Sequence, residues 1–202
     1  MTANTPSSKA EIRRQLRRSR NAVPATLRIL AARQALRIAL HRRLLGKKNR
    51  VGFYIPAKGE FDCLPLIEQA MGMGMACYLP VVPPARQKKL WFSLLGDGPH
   101  WALNRYGIPE YVRHAGRVRA AGLDTLFLPL LGFDRRGYRM GMGGGYYDAS
   151  LAFLSRRRHW RRPLLVGLAF EAQGVERLPD DPWDIPLDAV ITERRYWRFK
   201  HR

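Results

Sequence analysis

The stretch LDTLFLPLLGF, residues 123–133, is strongly apolar and is the best candidate for a central strand in this chain. A continuous apolar run of this kind is typical of a strand that is buried on both faces. The glycine-rich stretch DRRGYRMGMGGGYYD, residues 134–148, follows it directly and leads into a helix predicted over residues 146–155. A strand, a loop and a helix in this order favour an α/β sheet.

Shorter apolar runs on both sides extend this alternation. A helix is predicted from Asp62, which can cap it, to about Met71, and proline or glycine residues end several of the runs. The pattern predicts an α/β fold of three layers, a largely parallel sheet with helices on both faces, but it does not give the strand order. Strands are predicted over residues 51–55, 76–82, 90–95, 164–170 and 187–192.

Helices are predicted to precede this sheet. Ser8 and Glu11 have the spacing of a capping box, and Pro24 suits the first turn of a second helix that Gly46 would end. We expect residues 1–202 to form a single α/β domain, with residues 1–46 as a basic helical segment packed on it. The core-facing positions predicted for the second helix are Leu27, Ala31, Ala35, Ile38 and Leu45.

Charge is the strongest bulk property of the chain: 36 basic and 16 acidic side chains give a net charge of +20. Such a field attracts nucleic acids, nucleotide phosphates or polycarboxylates without distinguishing among them. No apolar stretch is long enough to span a bilayer, and the first residues do not resemble a secretory signal. Cys63 and Cys77 suit two buried thiols in a reducing compartment, so we expect the protein in the cytoplasm, with no membrane partner.

The glycine-rich stretch is the candidate for chemistry. Four glycines in five positions, Gly141 and residues 143–145, allow the backbone amides to surround an anion, and Arg139 adds a positive charge. Asp148 follows closely, where a carboxylate could hold Mg²⁺ against phosphates. The stretch lacks the Gly-Lys-Ser/Thr of a Walker A loop and fits a dinucleotide-binding motif poorly, whereas a flexible linker is the remaining alternative to phosphate binding.

The run GMGGGYYD, residues 141–148, with FDRRGYR ahead of it, resembles the 5-formyltetrahydrofolate cyclo-ligase family, also called methenyltetrahydrofolate synthetases. The resemblance continues in KAEIR at residues 9–13, GFYIPAKGE at 52–60, GIPE at 107–110 and IPLDAVITE at 185–193. It implies ring closure of 5-formyltetrahydrofolate to 5,10-methenyltetrahydrofolate, with Mg²⁺ as cofactor and ATP as co-substrate, releasing ADP and phosphate. Positioning and charge neutralisation would carry this chemistry without a side-chain nucleophile, Arg139 supplying charge to the phosphates.

The resemblance also implies roles for particular residues. Asp148 and Asp188 would be the magnesium ligands, and Ile55, Glu60, Tyr106 and Tyr147 would contact the folate. ATP would be bound by Lys9, Arg13, Arg139, Met140, Gly141, Met142, Gly143, Gly144, Gly145, Tyr146 and Tyr147. The chain departs from the family pattern at Met142, Ala149 and Trp183.

Other interpretations of these residues stay open on sequence alone. Lys9 and Arg13 also suit a solvated helix face, and Asp188 also suits a residue that only caps or ends a strand. A basic RNA- or DNA-binding protein without catalytic activity is the alternative function, although no RNP, KH or zinc-finger motif supports it. We therefore expect small-molecule substrates rather than nucleic acid, and a monomer.

Overall fold

A seven-stranded sheet forms the centre of the computed structural model, which describes residues 8–46, 49–156 and 162–199. Four α-helices accompany it: α1 (Lys9–Asn21), α2 (Ala25–His41), α3 (Leu64–Gly72) and α4 (Tyr146–Leu151). The strands are β1 (Arg50–Gly52), β2 (Ala76–Val81), β3 (Trp91–Leu94), β4 (Trp101–Leu103), β5 (Pro109–Tyr111), β6 (Thr125–Pro129), β7 (Gly132–Asp134), β8 (Arg139–Met140), β9 (Leu164–Leu168), β10 (Gly174–Val175), β11 (Ala189–Ile191) and β12 (Tyr196–Arg198).

The strand order of the large sheet is β12-β11-β9-β6-β1-β2-β3. The five central strands are parallel to their neighbours, and only β12 and β3 at the two edges run antiparallel. The prediction of a largely parallel sheet is therefore confirmed. A small sheet, β10-β7-β8, and a hairpin, β4-β5, complete the strands of the described residues.

Helices cover both faces of the large sheet. Successive side chains of a strand point to opposite faces, so Leu126 packs with Leu151 of α4 while Phe127 belongs to the core on the other face. That second core includes Ala35 of α2 and Leu66 of α3. The three-layer arrangement is confirmed. Among the described residues, no helix is both long and apolar enough to cross a membrane.

The apolar run at residues 123–133 is not one strand, which corrects the sequence prediction. β6 ends at Pro129, and the chain then passes into β7 of the small sheet. Proline has no amide hydrogen to continue the ladder. Gly132 begins β7 where α1 packs: a β-carbon there would lie 2.6 Å from Leu16 Cδ1. The apolar composition thus reflects burial in two successive sheets.

Helix α1 begins as predicted, whereas α2 ends earlier than predicted. The capping box of Ser8 and Glu11 is confirmed in both of its hydrogen bonds. α2 ends at His41, not near Gly46, because Arg43 takes a left-handed conformation (φ +54°). The Leu44 amide then donates to the Ala39 carbonyl (2.9 Å), which satisfies one of the last carbonyl groups of the helix.

Candidate active site

A cavity of about 580 Å³ opens where three neighbouring parallel strands end. Ile55 follows β1, Val82 follows β2 and Leu130 follows β6, and all three line the cavity. Ligands of open α/β sheets bind beyond the carboxyl ends of the strands. The fold therefore creates a cavity of a size suited to small molecules at the position where such molecules bind.

The glycine-rich stretch forms one wall of this cavity. Gly143 (φ +99°) and Gly145 (φ +69°) have left-handed backbone conformations that side chains disfavour. Gly144 lies against the ring of Tyr146, where a β-carbon would approach to 2.9 Å. The wall is thus exposed backbone, which lets a ligand approach the peptide groups closely.

Three cationic side chains surround this wall: Arg139 belongs to the stretch itself, and Arg13 and Lys88 come from distant parts of the chain. The Arg13 Nε of α1 donates to the Gly141 carbonyl (3.2 Å), and the Lys88 ammonium lies 3.8 Å from the position of a β-carbon on Gly145. Arg139, whose side chain is 6% exposed, donates to the Ile185 carbonyl (2.7 Å) and to Asp148 Oδ1 (2.5 Å). The wall therefore has an electrostatic environment that favours a bound anion.

A turn after β1 forms a second wall. Its Glu60 side chain lines the cavity and accepts a hydrogen bond from the Ala57 amide (3.2 Å). Desolvation raises the pKa of Glu60, while the Ala57 hydrogen bond and the positive charge of Arg20 oppose that rise. A half-buried carboxylate at this position can accept hydrogen bonds from paired N–H donors of a ligand.

The β4-β5 hairpin closes a third side. The hydroxyl groups of Tyr106 and Tyr146 lie 2.7 Å apart, and this hydrogen bond is the largest cause of the raised pKa of Tyr146. Glu110 of β5 is buried and accepts hydrogen bonds from the Val82 amide (2.8 Å) and from Asn104 (2.9 Å). The hairpin is thus held against both β2 and the start of α4.

The segment from Pro179 to Asp184 borders the cavity on its remaining side. Asp181 forms an ion pair with Lys9 of α1, and both residues line the cavity. Trp183 also lines it, with 65% of its surface exposed. The fully buried Asp134 anchors this segment, because it accepts hydrogen bonds from the Leu178 amide and from Arg136, which also pairs with Asp180.

Asp188 is the one predicted site residue that the structure does not bring to this cavity. It precedes β11 and accepts a hydrogen bond from the Leu165 amide (2.7 Å) in β9. Because β9 and β11 are parallel, this pair lies at their amino ends, whereas the cavity lies at the carboxyl ends of the sheet. The structure therefore does not bring Asp188 and Asp148 together at the cavity, and Asp188 lies directly before β11.

The remaining predicted site residues meet in one cavity. They come from α1, the turn after β1, the β4-β5 hairpin, β8 and the glycine-rich stretch, and they are Lys9, Arg13, Ile55, Glu60, Tyr106, Arg139, Met140, Gly141, Met142, Gly143, Gly144, Gly145, Tyr146, Tyr147 and Asp148. Sequence reasoning missed Lys88, Glu110, Asp181 and Trp183 as residues of this region. Lys88 stands in a pair of lysines that suits any solvated loop, so its sequence context carried no sign of the site.

Residues 5–193 match the model of the 5-formyltetrahydrofolate cyclo-ligase family. The chain belongs to this family. It is 37% identical over 154 residues to the 5-formyltetrahydrofolate cyclo-ligase of Escherichia coli K12 (75% of this chain, 81% of the relative) and 33% identical over 185 residues to that of Haemophilus influenzae (90% and 95%). The NMR structure of Aquifex aeolicus 5,10-methenyltetrahydrofolate synthetase superimposes with a TM-score of 0.78 at 30% identity, covering 96% of this chain and 94% of that one.

Proposed function

We propose that this cyclo-ligase family member converts 5-formyltetrahydrofolate to 5,10-methenyltetrahydrofolate with consumption of ATP and release of ADP and phosphate. One observation carries the proposal: the residues matched to ATP and the residues matched to folate line a single cavity. A phosphoryl group can pass directly between two substrates only when both are held in one cavity.

The chemistry is a phosphoryl transfer followed by ring closure. The formyl oxygen attacks the γ-phosphorus, and the bond between that phosphorus and the bridging oxygen breaks to release ADP. The N10 nitrogen then attacks the activated formyl carbon and loses its proton, and the bond from that carbon to the phosphate oxygen breaks. No protein nucleophile takes part, so the residues act by orientation and by neutralising charge.

The two substrates would divide the cavity between its walls. Lys9, Arg13, Arg139 and the glycine-rich stretch supply positive charge and exposed backbone for the triphosphate. Glu60 would accept hydrogen bonds from the pterin ring beside Ile55, with Tyr106 and Tyr147 near the ring system. Lys9 now pairs with Asp181, so nucleotide binding would exchange one anionic partner of its ammonium for another.

The cavity offers the carboxylate of Asp148 as a ligand for magnesium. Asp148 lies on the cavity wall, and its side chain is 41% exposed although Oδ1 is bonded to Arg139. Mg²⁺ typically uses one or two carboxylates together with phosphate oxygens and water, and no cluster of three acidic, histidine or cysteine ligands occurs in the described residues. Asp148 would hold the ion against ATP, and the ion would supply charge neutralisation to the phosphates.

We further propose a cytoplasmic monomer whose partners are its two small-molecule substrates.

Turnover of purified protein tests this function. With Mg-ATP and 5-formyltetrahydrofolate, the folded protein should produce the absorbance of the methenyl product. Asp148→Ala should lower kcat at least about 100-fold, because it removes charge control at the transferred phosphate. Asp97→Ala, which changes an exposed aspartate outside the cavity lining, should keep the wild-type rate.

The outcomes separate the function from the role of Asp148. A folded wild-type protein that forms no methenyl product would overturn the function. Full turnover by Asp148→Ala would overturn the magnesium role alone. Tight nucleic-acid binding with a steep salt dependence, in a protein without turnover, would favour the alternative of an RNA- or DNA-binding protein.

A further inference from the structure

Arg20 near the end of α1 is a buried cation that none of the roles above uses. Arg20 is 1% exposed, and its Nη2 donates to the Lys58 carbonyl (2.8 Å). Nε and Nη1 have no hydrogen-bond partner among the described residues. A guanidinium with two nitrogen atoms that lack a hydrogen-bond acceptor is costly to bury in a protein interior.

The backbone that Arg20 holds is the turn that carries Glu60. Lys58 (φ +48°) and Gly59 (φ +76°) both have left-handed conformations there. Arg28 of α2 supports the same turn, since Nη1 donates to the Gly59 carbonyl (2.8 Å) and Nη2 to the Arg20 carbonyl (2.5 Å). Two arginines on two helices therefore hold the carbonyl groups of Lys58 and Gly59. Glu60 directly follows Gly59.

The charge of Arg20 acts on Glu60 as well as on the backbone. Each of the two side chains stabilises the charged form of the other, which shows in the effect that each has on the pKa of the other. An apolar side chain of similar volume would fill the same space without the desolvation cost. It would leave the half-buried Glu60 without this opposite charge.

We infer that Arg20 is a positioning residue for the folate wall: its buried guanidinium fixes the turn at residues 57–60 and places a positive charge beside the Glu60 carboxylate that lines the cavity. The inference rests on the proposed function, because it assigns Glu60 to the folate. It adds a residue that lies outside the cavity lining and acts on the substrate only through Glu60.

The position of Arg20 on α1 extends this role. Lys9, Arg13, Leu16 and Arg20 follow the spacing of four, three and four residues that puts side chains on one face of a helix. Arg13 contacts the glycine-rich stretch and Arg20 contacts the turn after β1. One rigid helix thus sets the distance between the nucleotide wall and the folate wall.

The inference predicts a particular pH dependence. The ionisable groups that face Glu60 are Arg20 on α1, Tyr54 and Cys63 beside the turn, and Tyr147 on α4. Desolvation raises the pKa of Glu60 and Arg20 lowers it, so removal of the cation raises the pKa further. More of the carboxylate is then protonated at a given pH, and the acidic limb of kcat/KM for the folate moves to higher pH.

Steady-state kinetics and folate binding of three variants test the inference. Arg20→Met should raise the KM for 5-formyltetrahydrofolate about tenfold, as expected for the weakening of one charge-assisted hydrogen bond, with little change in the KM for ATP. Its acidic limb should move to higher pH, and Arg20→Lys should restore the position of that limb. Arg18→Met, an exposed arginine of the same helix, should behave as wild type.

Each result decides the matter in one direction. An unchanged acidic limb in Arg20→Met, or equal losses for both substrates, would overturn the positioning role. If Arg20→Met does not fold, the folate dissociation constant of Arg20→Lys is measured across pH. Since lysine keeps the positive charge, an acidic limb that lies at higher pH than that of wild type would overturn the positioning role. A wild-type protein that binds no 5-formyltetrahydrofolate would instead overturn the proposed function.

Discussion

Backbone conformation distinguishes the four glycines of the cavity wall from one another. Gly143 and Gly145 have positive φ angles, and Gly144 is confined by the ring of Tyr146. Gly141 has open space where a β-carbon would stand. The run of glycines therefore combines two physical requirements, a positive φ and close contact with a ring, with one position that shows neither, and the structure separates them.

A matched pair of substitutions tests this distinction. Gly145→Ala should lower the free energy of unfolding by about 1 kcal/mol, because alanine is strained in the left-handed region. Gly141→Ala should leave it unchanged, since nothing lies within 4 Å of the new methyl group. Urea unfolding followed by circular dichroism measures both. Equal values for the two variants would contradict the conformational explanation.

Most of the candidate site could be predicted at this scale because its members lie in short, distinctive sequence motifs. Asp188 shows where such reasoning fails: an aspartate before an apolar run can follow one strand or begin the next, and only the sheet shows which end it occupies. Lys88 is the opposite case, a residue near the cavity that was not predicted. Its approach to Gly145 depends on the path of the loop after β2. Neither position is determined by local sequence.

Among the elements, the join between β6 and β7 is the feature that most needs support. The chain leaves one sheet and enters another there, so its backbone groups lose their ladder partners. Gln173, which is fully buried, donates to the carbonyls of Leu130 (2.8 Å) and Leu131 (3.0 Å) and accepts from the Phe170 amide (2.8 Å). One side chain thereby replaces three backbone partners.

Substitution of this glutamine should therefore be costly. Gln173→Leu should lower the free energy of unfolding by about 3 kcal/mol, because it leaves three buried backbone groups unsatisfied. Gln15→Leu, an exposed glutamine of α1, is the matched control and should change it little. Denaturant midpoints measure both variants. A Gln173→Leu protein as stable as its control would show that the join does not depend on this residue.

The central strands and the edge strand β3 were predictable at the scale of elements, but the edge strand β12 and the minor strands were not. β12, β8 and β10 are two or three residues long, too short for a period of two to be recognised. The β4-β5 hairpin was also missed because the three residues of β4 are exposed and carry no buried alternation. Such elements depend on neighbours that are distant in sequence.

In the whole molecule, α1 joins the basic N-terminal segment to the rest of the chain. Leu16 packs with Leu131, Met140 and Leu178 beside the small sheet, while Lys9 pairs with Asp181. These contacts cross more than one hundred residues of sequence. They support the prediction that residues 1–202 form a single domain.

Unfolding and mass measurements test that organisation. If α1 and the sheet form one cooperative unit, circular dichroism and tryptophan fluorescence should report the same single transition. Light scattering after size exclusion should give the 23.2 kDa of one chain. An early loss of helical signal would indicate that residues 1–46 unfold separately, and twice the mass would contradict the proposed monomer.

The place of Lys9 has a practical consequence for anyone who purifies this protein. Lys9 is the first residue of α1 and lies on the rim of the cavity. A histidine tag fused ahead of Met1 would be joined by a short length of chain to a residue that lines the cavity, so its imidazoles could compete for metal or for the nucleotide. Cleavage of such a tag should come before any titration.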